Sequence, residues 1–361
     1  MEKYRVGIVG ATGMVGQRFI SLLKDHPWFE VNCVAASARS AGKTYREAVG
    51  ERWAFSWEIP EKVAGMTVVD AADIDEVSKH VDFVFCAVDM KKDEIRALEE
   101  AYAKHEIPVV SNNSACRGIE DVPMVVPEIN ADHLAVIEAQ KKRLGTKNGF
   151  IAVKPNCSIQ SYVPALTPLL DFEPEKVSVC TYQAISGAGK TFKTWPEMVD
   201  NVIPYIGGED EKSENEPLKL WGHVEDGKIV NAAQPVISAQ CLRVACSDGH
   251  MAAVSVSFKK KPTIEQIKER WANYETEAQR LELPSAPKPF LQYFEDPSRP
   301  QTRLDRDFQN GFGVSIGRLR EDKLFDYRFV CLSHNTVRGA AGGGILTAEL
   351  LCRKGYIPHR V

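Results

Sequence analysis

At 361 residues, with 26% charged and 44% hydrophobic side chains, the chain has the balance of a globular protein and enough length for two cores. A formal net charge of −4 supplies no basic face for nucleic acid, and no apolar stretch approaches membrane-spanning length. Nine cysteines, an odd number without CxxC spacing, exclude a disulfide framework or a zinc site and fit a reducing, cytoplasmic setting, and no secretory h-region precedes the first strand.

Residues 4 to 9 read as a buried strand that runs into Gly10-Ala11-Thr12-Gly13-Met14-Val15-Gly16 and an amphipathic helix. Strand, glycine turn and helix is the context of a dinucleotide site, because glycines let backbone amides approach a pyrophosphate at a helix start. The spacing here is GxxGxxG rather than GxGxxG. After the next strand, Phe29 to Ala36, an NAD site usually presents a carboxylate for the ribose 2′-hydroxyl. This chain has Ser37-Ala38-Arg39-Ser40-Ala41-Gly42-Lys43 instead, donors that suit a 2′-phosphate and favour NADP; a solvated polar turn is the plainer reading.

Strands are expected at Val81 to Val88, Ile107 to Val110 and Val122 to Ile129, with helices at Lys91 to Lys104 and Ala131 to Leu144. This alternation predicts an α/β, Rossmann-type doubly wound sheet with ligands beyond the carboxyl ends of its strands. Arg117, in Asn112-Asn113-Ser114-Ala115-Cys116-Arg117, lies just past such an end.

The organising stretch is Lys154-Pro155-Asn156-Cys157-Ser158, where a short strand (Phe150 to Val153) breaks and a helix begins at Ser158. A cysteine at a helix start meets unpaired N–H groups and the positive end of the dipole. These favour a thiolate near neutral pH and could hold an oxyanion. Most cysteines are buried and inert, so this one needs partners from elsewhere in the chain.

Lys176 to Ile185 alternates like a strand and ends in Ser186-Gly187-Ala188-Gly189-Lys190-Thr191. A phosphate loop is rejected, because its first glycine would fall on Ala184. Gly187 and Gly189 instead permit close approach to a flat ligand. The charge run 207–219 reads as a solvated loop or helix start. Two strands flanking Ser247-Asp248-Gly249, if paired as a hairpin, bring Arg243 and His250 together near one end. There His250 suits general acid/base work and Arg243 a carboxylate clamp. Further strands at 311–318 and 326–332 suggest a mixed sheet, and the small residues 339–344 open a final helix expected to return to the first domain.

Taken together, GATGMVG, SARSAGK, NNSACR, PNCS, YQAISGAGK, CLRVACSDGH and HNTVRGAA resemble the aspartate-semialdehyde dehydrogenase family, its archaeal and fungal branch most of all, along nearly the whole chain. The resemblance implies a dinucleotide domain at 1–155 with 336–361 and an α+β catalytic and dimerisation domain at 156–335. It implies NADPH-dependent reductive dephosphorylation of L-4-aspartyl phosphate to L-aspartate 4-semialdehyde, reversible through a cysteine thioester, on the route to lysine, methionine and threonine. Cys157 matches the nucleophile, His250 the general acid/base and Gln183 the group orienting the carbonyl. Arg243 matches the α-carboxylate clamp, and Arg117 and Asn156 groups near the phosphate. Glu209 and Lys212, spaced Glu-x-x-Lys, match the pair binding the amino group and the phosphate, in a run where Glu211, Glu214 and Glu216 permit a register slip.

Cofactor contacts are implied at Gly10, Thr12, Gly13, Met14, Val15, Ser37, Arg39, Ser40, Ser186, Gly187 and Asn335. No metal is implied, the partners are the small substrates and inorganic phosphate, and a homodimer or homotetramer is expected. Rival readings are a malonyl-CoA or N-acetylglutamyl-phosphate reductase, which needs no acid for a free α-amine, and a non-catalytic NADP-binding regulator. Whether Glu209 points into the cleft separates the first pair, and the reactivity of Cys157 separates the regulator.

Overall fold

The computed structural model describes residues 2–359. Strands β1 (Tyr4–Val9), β2 (Phe29–Ala36), β3 (Val69–Asp70), β4 (Phe83–Cys86), β5 (Val109–Ser111) and β6 (Ile151–Val153) form an all-parallel sheet in the order β3-β2-β1-β4-β5-β6. β4 and β5 are buried along their length and β1 from Val6 onward, which is why they read as apolar runs and not as alternating ones. The winding reverses between β1 and β4, and that reversal opens a crevice beyond their carboxyl ends. The C-terminal helix (Gly342–Arg353) packs against the Met14–Leu23 helix and β5. A Cβ at Gly344 would lie 2.9 Å from Phe19, so the glycine permits this contact.

Val122 to Ile129 is not a strand. It runs as a buried loop that touches β6 at a single bridge, Met124 to Val153. Pro123 and Pro127 remove two ladder donors. The Asn130 side chain binds the backbone of Met124 and Val126 in their place (2.8 and 2.9 Å). The helix after it starts as a 3₁₀ segment, Ala131–Val136, and turns α-helical only over Ile137–Leu144.

The second sheet is mixed. It contains β7 (Pro174–Gln183), β8 (Val202–Ile203), β11 (Val236–Val244), β12 (His250–Phe258), β13 (Leu291–Phe294), β14 (Val314–Glu321) and β15 (Tyr327–Ser333), in the order β13-β14-β15-β12-β7-β11-β8; β9 (His223–Glu225) and β10 (Lys228–Val230) form a separate ribbon. The anticipated hairpin does not form, because β7 lies between β11 and β12. β11 runs parallel to β7, a pairing that requires a crossover. The charge run supplies it as a helix, Glu209–Leu220. The loop from β11 to β12 crosses the end of β7, where the N–H groups of Ile185 and Ser186 donate to the carbonyls of Cys246 and Ser247.

Candidate active site

Because β12 is antiparallel to β7, its first residue lies at the end where β7 and β11 finish. Arg243 pairs with Gln183 across β11 and β7, and the β7–β12 register (Met251 with Tyr182) carries on to set His250 opposite Gln183. His250, Gln183 and Arg243 therefore form one row across three strands, all buried. Gly187 lies directly over the row: a Cβ there would be 2.8 Å from Arg243 Nη1 and 3.0 Å from His250 Nε2. The proximity expected of Arg243 and His250 exists, although it comes from two strands flanking a third.

Cys157 reaches this row from the first sheet. It sits one residue before the N-cap, Ser158, of the Ile159–Leu166 helix, with Sγ 3.4 Å from His250 Nε2. Gly339 closes the other side in a π-type turn, where a Cβ would be 2.8 Å from Cys157 Cβ. Turns of this kind are frequent at functional sites.

The electrostatics differ from the expectation of a stabilised thiolate. Burial pushes the Cys157 thiol up and Glu209 adds to the effect, while Lys154, Arg243 and Arg117 pull it down without prevailing. The Ser158 N–H, which was to help stabilise the anion, is taken by Asn156 Oδ1 at 2.7 Å. Burial and then Arg243 lower the His250 imidazolium well below its usual range. The resting pair is thus a thiol and a neutral imidazole. Ala184 N–H donates to Nδ1 at 3.0 Å, so the neutral ring carries its proton on Nε2 and aims it at the sulfur. In this tautomer His250 donates to a thiolate or an oxyanion; taking the thiol proton, as expected of it, requires the other tautomer.

Glu209 is buried and points into the cleft. Its oxygens accept from Asn156 Nδ2 (2.9 Å), Lys212 Nζ (2.8 Å) and Gln183 Nε2 (3.2 Å). Burial opposes its charge, but Lys212, Gln183 and Asn156 hold its carboxyl below the usual range. The Asn156 amide joins Glu209 to both the N–H and the hydroxyl of Ser158, and its backbone N–H donates to Glu216 at 2.5 Å. Arg243 Nη1 donates to the Ala184 carbonyl (2.7 Å). Arg117 donates to Glu216 (2.9 Å) and to the Asn112 carbonyl (3.1 Å).

Sequence reasoning missed three residues here. Lys154 is buried, donates to the Pro155 carbonyl, and is brought down to about 7, first by burial and then by Arg117. Glu216 and Lys219 belong to the crossover helix, which turns Glu209, Lys212, Ser213, Glu216 and Lys219 to the interior. The i, i+3, i+4, i+7, i+10 spacing was the available signal, hidden because the inward face is charged and not apolar.

The turn beyond β1 fits a dinucleotide. Gly10 has φ +90°, and a Cβ on it would lie 2.3 Å from the Ala87 carbonyl oxygen. Gly13 is exposed at the N-cap with no side-chain cap on the helix, which leaves its amides for a ligand, and Thr12, Met14 and Val15 flank it part-exposed. Ser37, Arg39 and Lys43 are exposed on the turn after β2, whereas Ser40 is buried. Asn335 accepts from Gly249 N–H and donates to Ser186 Oγ, both at 2.8 Å. Among the described residues no group of three or more His, Cys, Asp or Glu could hold a metal, and no helix is long and apolar enough to cross a membrane.

Two family models match the chain: semialdehyde dehydrogenase, NAD binding domain, over residues 5–137, and semialdehyde dehydrogenase, dimerisation domain, over residues 166–338. An aspartate-semialdehyde dehydrogenase of Schizosaccharomyces pombe is 45% identical, covering 98% of this chain and 99% of its own. That of Archaeoglobus fulgidus is 43% identical over 98% of this chain and 100% of its own. The crystal structure of the Candida albicans aspartate semialdehyde dehydrogenase with NADP superposes with a TM-score of 0.88 at 38% identity, covering 99% of this chain and 100% of that one. With full-length relatives at this level and the strand-end cleft in place, the chain belongs to the aspartate-semialdehyde dehydrogenase family.

Proposed function

We infer that this chain catalyses the NADPH-dependent reductive dephosphorylation of L-4-aspartyl phosphate to L-aspartate 4-semialdehyde, a step in amino-acid biosynthesis. The observation that carries the reading is Cys157 Sγ lying 3.4 Å from His250 Nε2, above a row that ends in Arg243 and beside a buried Glu209. Arg243 clamps the substrate α-carboxylate, and Glu209 with Lys212 receives its ammonium and phosphate ends. Glu209 also distinguishes this activity from reductases of substrates lacking an α-amine, where an inward carboxylate would be an uncompensated cost.

In its Nδ1–H tautomer His250 takes the Cys157 proton on Nε2; the thiolate attacks the acyl carbon, and Gln183 and the Nε2–H of the imidazolium orient and stabilise the oxygen that becomes negative. Phosphate departs toward Arg117, and a thioester on Cys157 remains. NADPH, when bound, supplies the hydride that reduces this thioester. As the aldehyde forms, the His250 imidazolium returns that proton to the departing Cys157 sulfur, which restores the thiol and the neutral ring. The glycine turn, Ser37, Arg39, Ser186, Gly187 and Asn335 hold the dinucleotide, an assignment supported by the NADP in the Candida albicans structure.

Residues 1–155 with 336–361 form the dinucleotide domain and 156–335 the catalytic and dimerisation domain, a division supported by the membership of the two sheets. Exposed Tyr182, Val202, Tyr205 and Val236 on and around the β7-β11-β8 edge support a homodimer built through that surface, or a dimer of such dimers. Nine unpaired cysteines suit a cytoplasmic location.

The test is phosphate-dependent reduction of NADP⁺ with aspartate semialdehyde, set against malonate semialdehyde with CoA. Activity with the first and its loss by about 10⁴-fold in Cys157→Ala is the expected result. Equal turnover of the second pair, or an active Cys157→Ala variant, overturns the reading.

A further inference from the structure

Glu216 stands where an anion subsite would be assembled. One of its carboxylate oxygens accepts from Arg117 Nη1 at 2.9 Å and the other from the backbone N–H of Asn156 at 2.5 Å. The side chains of Glu216 and Arg117 are each 10% exposed, so the pair is shielded from solvent screening, and a single carboxylate is bidentate between the nucleophile turn and the loop after β5.

Its helix is pinned on both sides of it. One turn before, Ser213 Oγ meets Ser158 Oγ at 3.2 Å and the Ser213 carbonyl accepts from Tyr162 Oη at 2.6 Å. One turn after, Lys219 Nζ donates to the carbonyls of Arg117, Ile119 and Val122 at 2.7, 2.7 and 3.0 Å. A carboxylate anchored in this way cannot swing aside as a mobile gate would. It fixes the Nη1 side of Arg117, while the Asn112 carbonyl takes Nη2. Nε–H on the opposite edge is buried and has no partner among the described residues. An unmet buried donor carries a desolvation cost that an arriving anion recovers.

We propose that Glu216 is the positioning residue of the phosphate subsite: it orients Arg117 and locks the Asn156 turn, so that the free edge of the guanidinium receives the departing or attacking phosphate. This deepens the activity proposed above and rests on it for the identity of the anion.

The experiment compares wild type, Glu216→Gln and Glu216→Asp in phosphate-dependent NADP⁺ reduction, together with thermal-shift titration by inorganic phosphate. Gln offers one acceptor and one donor to two donors, so one contact becomes repulsive. The expected outcome is a rise of about tenfold or more in phosphate KM for Glu216→Gln, with KM for aspartate semialdehyde and NADP⁺ within about twofold, and Glu216→Asp in between. If Glu216→Gln does not fold, a selective threefold rise in Glu216→Asp serves the same purpose. Equal rises in all three KM values would make the role merely structural, and an unchanged or lowered phosphate KM would make Glu216 idle or occluding; each overturns the proposal. Were wild type to show no phosphate-dependent turnover, the activity would fall. The phosphate titration would still decide the anion subsite, since loss of the phosphate-induced stabilisation in Glu216→Gln supports it and an unaltered shift refutes it.

Discussion

The glycine turn at residues 10–16 and the cleft around Cys157 present opposite kinds of chemistry. In the turn the groups offered to a ligand are backbone amides, those of Gly10, Ala11 and Gly13 being already bonded to carbonyls, and the glycines keep side chains out at two points: a Cβ at Gly10 would press to 2.3 Å on the Ala87 carbonyl, and one at Gly16 to 2.3 Å on the Gly10 carbonyl. In the cleft the groups are side chains from segments as distant as Arg117, Cys157, Glu209 and His250, brought together by strand ends and one crossover helix. A backbone site can be written into a single local motif. A side-chain site exists only when several elements arrive together, and it carries the electrostatic cost of burying them.

Alanine at Gly187 strikes the cleft where it is tightest. With no positive φ to strain the backbone, the fold should persist while Arg243 and His250 are pushed apart, and kcat/KM is expected to drop about 10²–10³-fold with an unchanged urea midpoint. A loss under threefold would mean that the row is plastic, and the contrast with the turn would fail. Gly10→Ala tests the other region, where left-handed backbone and a carbonyl contact both oppose a side chain. It should cost about 2–3 kcal/mol of stability and abolish NADP binding by calorimetry, leaving any residual thiol chemistry of Cys157 intact. Arg39→Ala probes a place where the turn's domain uses a side chain: the preference for NADP over NAD should fall about tenfold, read as the ratio of the two kcat/KM values.

Lys154→Met is the mildest. Because Lys154 lowers the Cys157 thiol, its loss should move the pH midpoint of Cys157 alkylation upward. In wild type that midpoint already lies above an ordinary thiol, since burial raises it. Lys154 also has a stability signature. The folded amine titrates at about 7, and an unfolded lysine near ~10.4, so between these values the unfolded chain holds the extra proton. The burial cost is therefore fully present below about 7 and fades as pH rises toward ~10. Denaturant midpoints that rise with pH in wild type and lose that component in Lys154→Met are the expected pattern; identical profiles would place the ammonium outside the buried cleft.

Legibility followed the same division. The first sheet, the glycine turn and the helix after Cys157 were visible because apolar runs, a 3.6-residue period and helix-start residues are local signals. Val122 to Ile129 misled because burial alone makes a run apolar, and its two prolines were the counter-signal. The Arg243–His250 hairpin misled because adjacency in sequence does not show that a third strand intervenes. Glu216 and Lys219 passed as solvated charges, since nothing local distinguishes an ion pair turned inward from one turned to water.

The order of side chains along the chain was enough to determine the alternating α/β character, the dinucleotide turn, the missing carboxylate after β2 and a cysteine at a strand-to-helix break, all of which depend on residues within a few positions of each other. Tertiary structure alone decided that β7 separates β11 from β12, that the charged crossover helix faces inward, and that Cys157 rests as a thiol against an Nε2–H imidazole. Strand order, burial and proton distribution are set by groups far apart in the chain, Cys157 and His250 among them, meeting in one low-dielectric space, and no stretch of sequence contains that information by itself.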